Sequence, residues 1–147
     1  MIASPSKLLQ KYFIEEGYGN DPPHLTWPIY VGFMPGTSLV PANAIAIYDP
    51  TGTKDGRIMK TGEVISHPGI QVRVRASTYP VAYDKIRSMA LRLDIISRRS
   101  IIIDDQTYAI MNVTRTGDPI SLGLEEATNR VLFVVNSRVT ISGGPTV

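Results

Sequence analysis

The stretch Ile70-Gln71-Val72-Arg73-Val74-Arg75-Ala76 alternates without a break: Ile70, Val72, Val74 and Ala76 point to one side of an extended chain, Gln71, Arg73 and Arg75 to the other. A period of two with branched residues on the apolar side predicts a half-buried strand. Directly after it, Thr78 stands where a helix N-cap belongs and Pro80 falls in the first turn. Ala82, Ile86, Met89, Ala90 and Leu93 then recur at i, i+4, i+7, i+8 and i+11, a single apolar stripe. A strand with one apolar face followed by a helix with one apolar stripe predicts that the two pack on each other.

Working outward, Ser4-Pro5 reads as an N-cap with proline at the first helical position, and Leu8, Leu9, Tyr12 and Phe13 keep helical spacing until Gly17. Tyr18 to Trp27, with Pro22-Pro23, is a connecting loop. Ile29 to Met34 and Ala44 to Tyr48 are short strands separated by a Pro35-Gly36 turn signal. Asp49-Pro50-Thr51-Gly52-Thr53-Lys54-Asp55-Gly56 is the most turn-rich segment, so an exposed, flexible loop is expected from about 49 to 69. Ser100 to Ile103, an Asp104-Asp105 turn and Thr107 to Thr114 read as a hairpin. Gly117-Asp118-Pro119 and Leu122-Gly123 mark a connection, Val131 to Ile141 is the last strand, and 142–147 is a loose tail. Strands and two helices within 147 residues give one α+β domain over 1–147.

Composition excludes several classes. With 43% hydrophobic and 19% charged residues the chain can bury a core. Fifteen Lys and Arg against thirteen Asp and Glu leave a formal charge of only +2, which is no nucleic-acid footprint. The absence of Cys excludes disulfides and thiolate metal sites, and fits a reducing cytoplasm. Met1 to Lys11 lacks the apolar run of a signal peptide, and no stretch has the length of a membrane span.

Motifs for chemistry are missing. Thr51-Gly52-Thr53-Lys54 lacks the first glycine and the following hydroxyl residue of a phosphate-binding loop and reads as a turn. His24 and His67, far apart and each near proline, read as exposed and idle rather than as zinc ligands. No Gly-x-Ser-x-Gly elbow occurs. Asp104-Asp105 and Glu125-Glu126 are paired carboxylates, but neighbours in a turn are solvated rather than tuned for acid–base work. Asn112-Val113-Thr114 matches a glycosylation acceptor by chance in a chain that is not exported. No catalytic, cofactor-binding or metal-ligating residue emerges, and no enzyme is expected. Arg87, Arg92 and Arg98-Arg99 read as a solvated face. Arg73 and Arg75 differ, because two guanidinium groups side by side on a sheet can pair with carboxylates of a neighbouring subunit.

The segment from Ile70 to Tyr79, with Ala82-Tyr83, resembles the signature strand and helix start of the minor capsid and tail terminator family of long-tailed bacteriophages. Upstream, Pro41-Ala42-Asn43-Ala44-Ile45-Ala46-Ile47-Tyr48-Asp49 with Gly52 is similar to that family's preceding segment, and Asn129-Arg130-Val131 to Val139 to its closing strand. The similarity runs from about Leu8 to Val139, and the loop from Thr53 to Ser66 departs from it by its length. The resemblance implies a mixed, mainly antiparallel sheet flanked by two helices. It also implies a non-enzymatic virion protein, assembled in the host cytoplasm, that forms a ring of six copies at the head-proximal end of the tail tube. Such a ring ends tube polymerisation and joins tail to head. Its partners would be itself, the tail tube protein and a head-completion or neck protein, with DNA only in transit through the channel, no cofactor and no membrane.

A closed ring needs two different patches that meet. Edge strands and a long loop supply the means, so Asp49, Lys54, Arg57 and Lys60 of the loop, with Arg73 and Arg75, are the expected subunit or partner contacts. The rival readings are another neck or head-completion connector, which would bind a different partner, and a small cytoplasmic ligand-binding domain, which would need convergent polar groups in a pocket.

Overall fold

A computed structural model of the chain describes residues 3–23, 26–35, 41–50, 53–57, 64–125 and 129–143, with the backbone alone for 53–57, 64–66 and 143. In chain order the elements are α1 (Pro5–Glu15), β1 (Ile29–Val31), β2 (Ala44–Tyr48), β3 (Thr53–Arg57), β4 (Val64–His67), β5 (Gly69–Ala76) and α2 (Tyr79–Asp94). They continue with β6 (Ser97–Ile103), β7 (Gln106–Arg115), β8 (Ile120–Leu124) and β9 (Val131–Gly143). The fold is α+β, as expected, with one mainly antiparallel sheet and two helices.

β5 is the alternating stretch, and its apolar residues Ile70, Val72, Val74 and Ala76 are wholly buried. α2 buries Ala82, Ile86, Met89, Ala90 and Leu93, the five residues of the predicted stripe. Thr78 holds the N-cap position, but its side chain makes no capping bond. Pro80 with its fixed φ and the bond from the Ala82 N–H to the Thr78 carbonyl (3.1 Å) set the start of the helix instead. In α1 the cap is made: Ser4 Oγ accepts from the Lys7 N–H at 3.3 Å, with Pro5 at the first turn.

β9, 13 residues long, is the axis of the sheet. On one side it pairs with β5, from Ala76 opposite Val131 to Gly69 opposite Arg138, and further on with β4 through Ser66 opposite Ile141. On the other side it pairs first with β8 and then with β7. The sheet continues from β5 to β2 and β1, from β4 to β3, and from β7 to β6; only β1 and β2 run parallel. α2 packs on β5, β9 and β7, whereas α1 touches both β1 and β6, from opposite ends of the path β1-β2-β5-β9-β7-β6. A sheet whose two ends reach the same helix must curl around it. The concave side therefore holds both helices and the core, including Leu8, Leu9, Tyr12 and Phe13. The convex side carries Gln71, Arg73 and Arg75.

Several local expectations need correction. The segment expected to be one loop from about 49 to 69 contains two strands, β3 and β4, paired antiparallel with a register shift between Lys54 and Arg57. Turn-forming residues there mark a hairpin and its irregularity rather than continuous loop. The connection after Gly117 contains β8, where Gly123 takes φ +81° at a register shift; a glycine inside a strand marks a bulge as readily as a break. β1 ends at Val31 because Gly32 turns to φ +81°. β9 runs past the expected end, since Ser142 and Gly143 still pair with β7; 144–147, like Gly36, lie outside the described residues. The Asp104-Asp105 reversal is present, with both residues at positive φ (50° and 62°). Gly19 has a packing role: a Cβ there would lie 2.6 Å from both Ile29 Cγ1 and the Trp27 carbonyl oxygen.

Candidate assembly surface

On the convex face, Tyr48, Gln71 and Asn136 stand in one row across β2, β5 and β9. Gln71 Nε2 donates to Asn136 Oδ1 (3.0 Å), and Arg73 Nε donates to Gln71 Oε1 (2.9 Å). The Arg73 guanidinium lies 5.0 Å from the centre of the Tyr48 ring, a cation–π contact on a half-buried surface. Arg73 is thus positioned by its neighbours and still open on one side, with no carboxylate partner among the described residues.

Arg75 has a different environment. Its side chain is 0% exposed. Nη1 donates to the Pro35 carbonyl (2.6 Å), Nη2 to that of Pro41 (3.1 Å) and Nε to that of Ala42 (3.3 Å). The Glu125 carboxylate lies 3.7 Å from Nη1. Burial pulls the Arg75 pKa below its ordinary value and Arg130 adds to the effect, while Glu125 opposes it. Arg75, expected as a contact with a neighbouring subunit, is instead enclosed by carbonyls and a carboxylate of its own chain. Three carbonyls converge here, and a guanidinium, all donors and no acceptor, is the side chain that can satisfy them together. This contact also places Glu125 against a buried charge rather than in a solvated pair; Glu126 lies outside the described residues.

The other expected contact residues are scattered. Asp49, just beyond β2, accepts from the Ser6 N–H (3.0 Å) and the Ser6 hydroxyl (2.6 Å). It ties the N-terminal turn of α1 to the sheet, where a carboxylate also suits the helix dipole. Lys54 and Arg57 belong to β3. Lys60 and His24 lie outside the described residues. His67 is half-buried, its Nδ1 2.9 Å from the Thr140 hydroxyl across β4 and β9, and so is not idle.

The arginines expected to be a solvated face divide. Arg87 and Arg98 are exposed. Arg92 bonds Glu16 and donates from Nε to the Tyr12 hydroxyl (3.1 Å). Arg99 reaches Glu16 (2.6 Å) and Glu15 (3.1 Å). Partial burial pushes the Glu16 carboxyl up, but Arg92 and Arg99 outweigh it and hold it below its ordinary value. This cluster fastens the end of α1 to α2 and β6. Beside it, a cleft of about 340 Å³ is lined by Glu16, Gly17, Tyr18, Lys85, Ser88 and Arg92. Burial lowers the Lys85 pKa, and its ammonium sits over the Trp27 and Tyr18 rings at 4.7 and 5.6 Å. These partners are 58 to 84 residues apart in sequence, and no local pattern announces them. Among the described residues no three His, Asp or Glu side chains cluster as metal ligands, and no helix is long and apolar enough to cross a membrane.

The sheet edges are treated unequally. β1 is covered: the Ile29 N–H donates to the Asn20 carbonyl (2.9 Å) and the Ile29 carbonyl accepts from Gln10 Nε2 (2.7 Å). β6 carries Arg98 at φ 48°, where the ladder to β7 skips a residue, and Arg99 beside it. Charge is an ordinary protection for an edge. β8 has neither charge nor cover. All five of its residues are exposed, including Ile120 (51%), Leu122 (46%) and Leu124 (59%). Ser121 of β8 stands opposite Phe133, whose ring meets those of Tyr79 (5.2 Å) and Tyr83 (5.8 Å), and Tyr79 is itself exposed. An uncharged edge strand thus runs beside an exposed aromatic group.

Compared with known families, residues 12–142 match the family described as bacteriophage tail terminator protein. No curated protein matches the chain significantly.

Proposed function

The chain belongs to the bacteriophage tail terminator family and is a structural tail protein; from this premise we propose that it closes the head-proximal end of a tail tube as a ring of six copies. The ring ends tube polymerisation and presents the surface that the head-completion or neck protein engages. Its working place is the virion, with DNA passing through the channel and no reaction catalysed.

The observation that carries this reading is the family match over most of the chain. Physical support comes from the edges. A ring contact is heterologous, and this subunit has the exposed strand β8 on one flank of β9 and the edge strand β3 beyond β4 on the other. Asp49, Lys54, Arg57, Lys60 and Arg73 remain proposed contacts with neighbours, whereas Arg75 serves the subunit interior.

Electron microscopy of tubes polymerised from the cognate tube protein tests the function. With the protein present, growth stops, one tube end carries a cap, and capped tubes join heads. Tubes that grow on uncapped in its presence contradict the reading, and binding to heads alone would make the protein a head-completion connector.

A further inference from the structure

We propose that β8 is the receiving edge of the subunit contact, and that its occupant is a second copy of this chain, which adds its β3 to β8 so that the sheet continues from subunit to subunit. The inference rests on the ring reading above and names the surfaces that make the ring.

Unpaired N–H and C=O groups along an uncharged edge are a template for another strand, and proteins ordinarily protect them. Here β1 is covered by Asn20 and Gln10, and β6 carries the charges of Arg98 and Arg99. β8 alone among these edges is left with five exposed, uncharged residues, three of them aliphatic. Leaving Ile120, Leu122 and Leu124 in water has no benefit to the lone subunit, whereas covering them removes apolar surface from water at roughly 25 cal/mol per Å².

Topology selects the occupant. β8 lies on one side of β9, and β3 with β4 lies on the other. Edges on opposite flanks give a head-to-tail contact that can close into a ring, whereas β8 against β8 would be two-fold and stop at a pair. Both strands are five residues long. The β3–β4 pair joins the rest of the sheet through β4, by Ser66 opposite Ile141 and His67 against Thr140, so the outer strand β3 can engage a neighbour without dismantling the core.

Charge agrees. Two residues before β8 stands Asp118, 95% exposed and only 3.6 Å from Arg115 of its own chain, with its other side open to solvent. β3 has the sequence Thr53-Lys54-Asp55-Gly56-Arg57, two cations to one anion. A net positive incoming strand suits the acidic residue ahead of the receiving one, a match that favours this partner.

The chain has no cysteine, so engineered ones report without background. Ser121→Cys and Asp55→Cys are placed in one chain, assembled on tail tubes, and joined with a short bis-maleimide. The expected result is a covalent ladder rising to the full ring; a mixture of the two single variants gives dimers only, and each single variant alone stays uncrosslinked. Leu122→Lys serves as the second arm: its circular dichroism and melting match the wild type, and assembly on tubes weakens at least tenfold. A ring that forms without cross-linking, dimers from Ser121→Cys alone, or normal assembly of Leu122→Lys overturns the β8–β3 contact and leaves the ring reading standing. Failure of the wild type to form a ring on tubes overturns both.

Discussion

Replacing Arg75 by Met keeps most of the side-chain volume and removes the only feature that nonpolar packing cannot supply. Three carbonyls, those of Pro35, Pro41 and Ala42, lose a charged donor, and Glu125 loses its cation at 3.7 Å. A hydrogen bond to a charged group contributes about 1.5–3 kcal/mol, and breaking a buried charge network costs about 3–5 kcal/mol. The three carbonyls belong to half-buried residues, and the Glu125 side chain is 25% exposed, so water recovers part of the loss. A destabilisation of about 3 kcal/mol results. With a urea m-value of about 2 kcal/mol/M for a domain of this size, the unfolding midpoint falls by about 1.5 M. Arg75→Lys keeps the charge but concentrates the donors on one atom, and loses about half as much. Equilibrium urea unfolding followed by circular dichroism measures both. A Met variant within about 0.5 kcal/mol of the wild type would show that the bonds to the Pro35, Pro41 and Ala42 carbonyls add little to stability.

Arg73→Glu, in contrast, removes only a half-exposed contact with Tyr48 and Gln71, so melting changes by at most about 1 kcal/mol in stability while assembly on tubes weakens, read by sedimentation with tube protein. Glu16 has its folded pKa held below the ordinary value of about 4.5; its contribution is complete above that pH and is lost as pH falls through the lower folded value. Glu16→Gln therefore lowers stability at neutral pH and flattens this part of the acid limb, as pH-dependent melting would reveal. At the Asp104-Asp105 reversal, Asp105→Gly relieves a non-glycine residue at φ 62° and produces the favoured Asp-Gly turn; a gain of about 1 kcal/mol, or about 2–4 °C in melting temperature, is expected by calorimetry.

Much of the fold was legible because its signals are local. The alternation of β5 and the stripe of α2 are periods, and every residue assigned to the buried side of each is buried. The Ser4-Pro5 start and the Asp104-Asp105 reversal follow from backbone chemistry at single positions. β8 was missed because Gly123 reads as punctuation, whereas it supplies a bulge that lets Ile120–Leu124 stay paired with β9. The fate of Arg75 was hidden for another reason. Alternation states which side of a strand a residue points to, but it does not say what covers that side. Here the carbonyls of Pro35, Pro41 and Ala42, more than 30 residues earlier, meet the guanidinium on the convex face. The Glu16, Arg92 and Arg99 cluster is equally non-local, since its members come from α1, α2 and β6 and meet only because the sheet curls. The edge at β8 carries no motif; its meaning depends on which neighbouring edges are protected.

The most direct test of the central claim is the native mass of the purified protein, taken by native mass spectrometry or light scattering with and without the cognate tail tube. On tube ends the 16.1 kDa chain is expected as a closed ring of six copies. A mass that stays at the monomer even at saturating tube would contradict it.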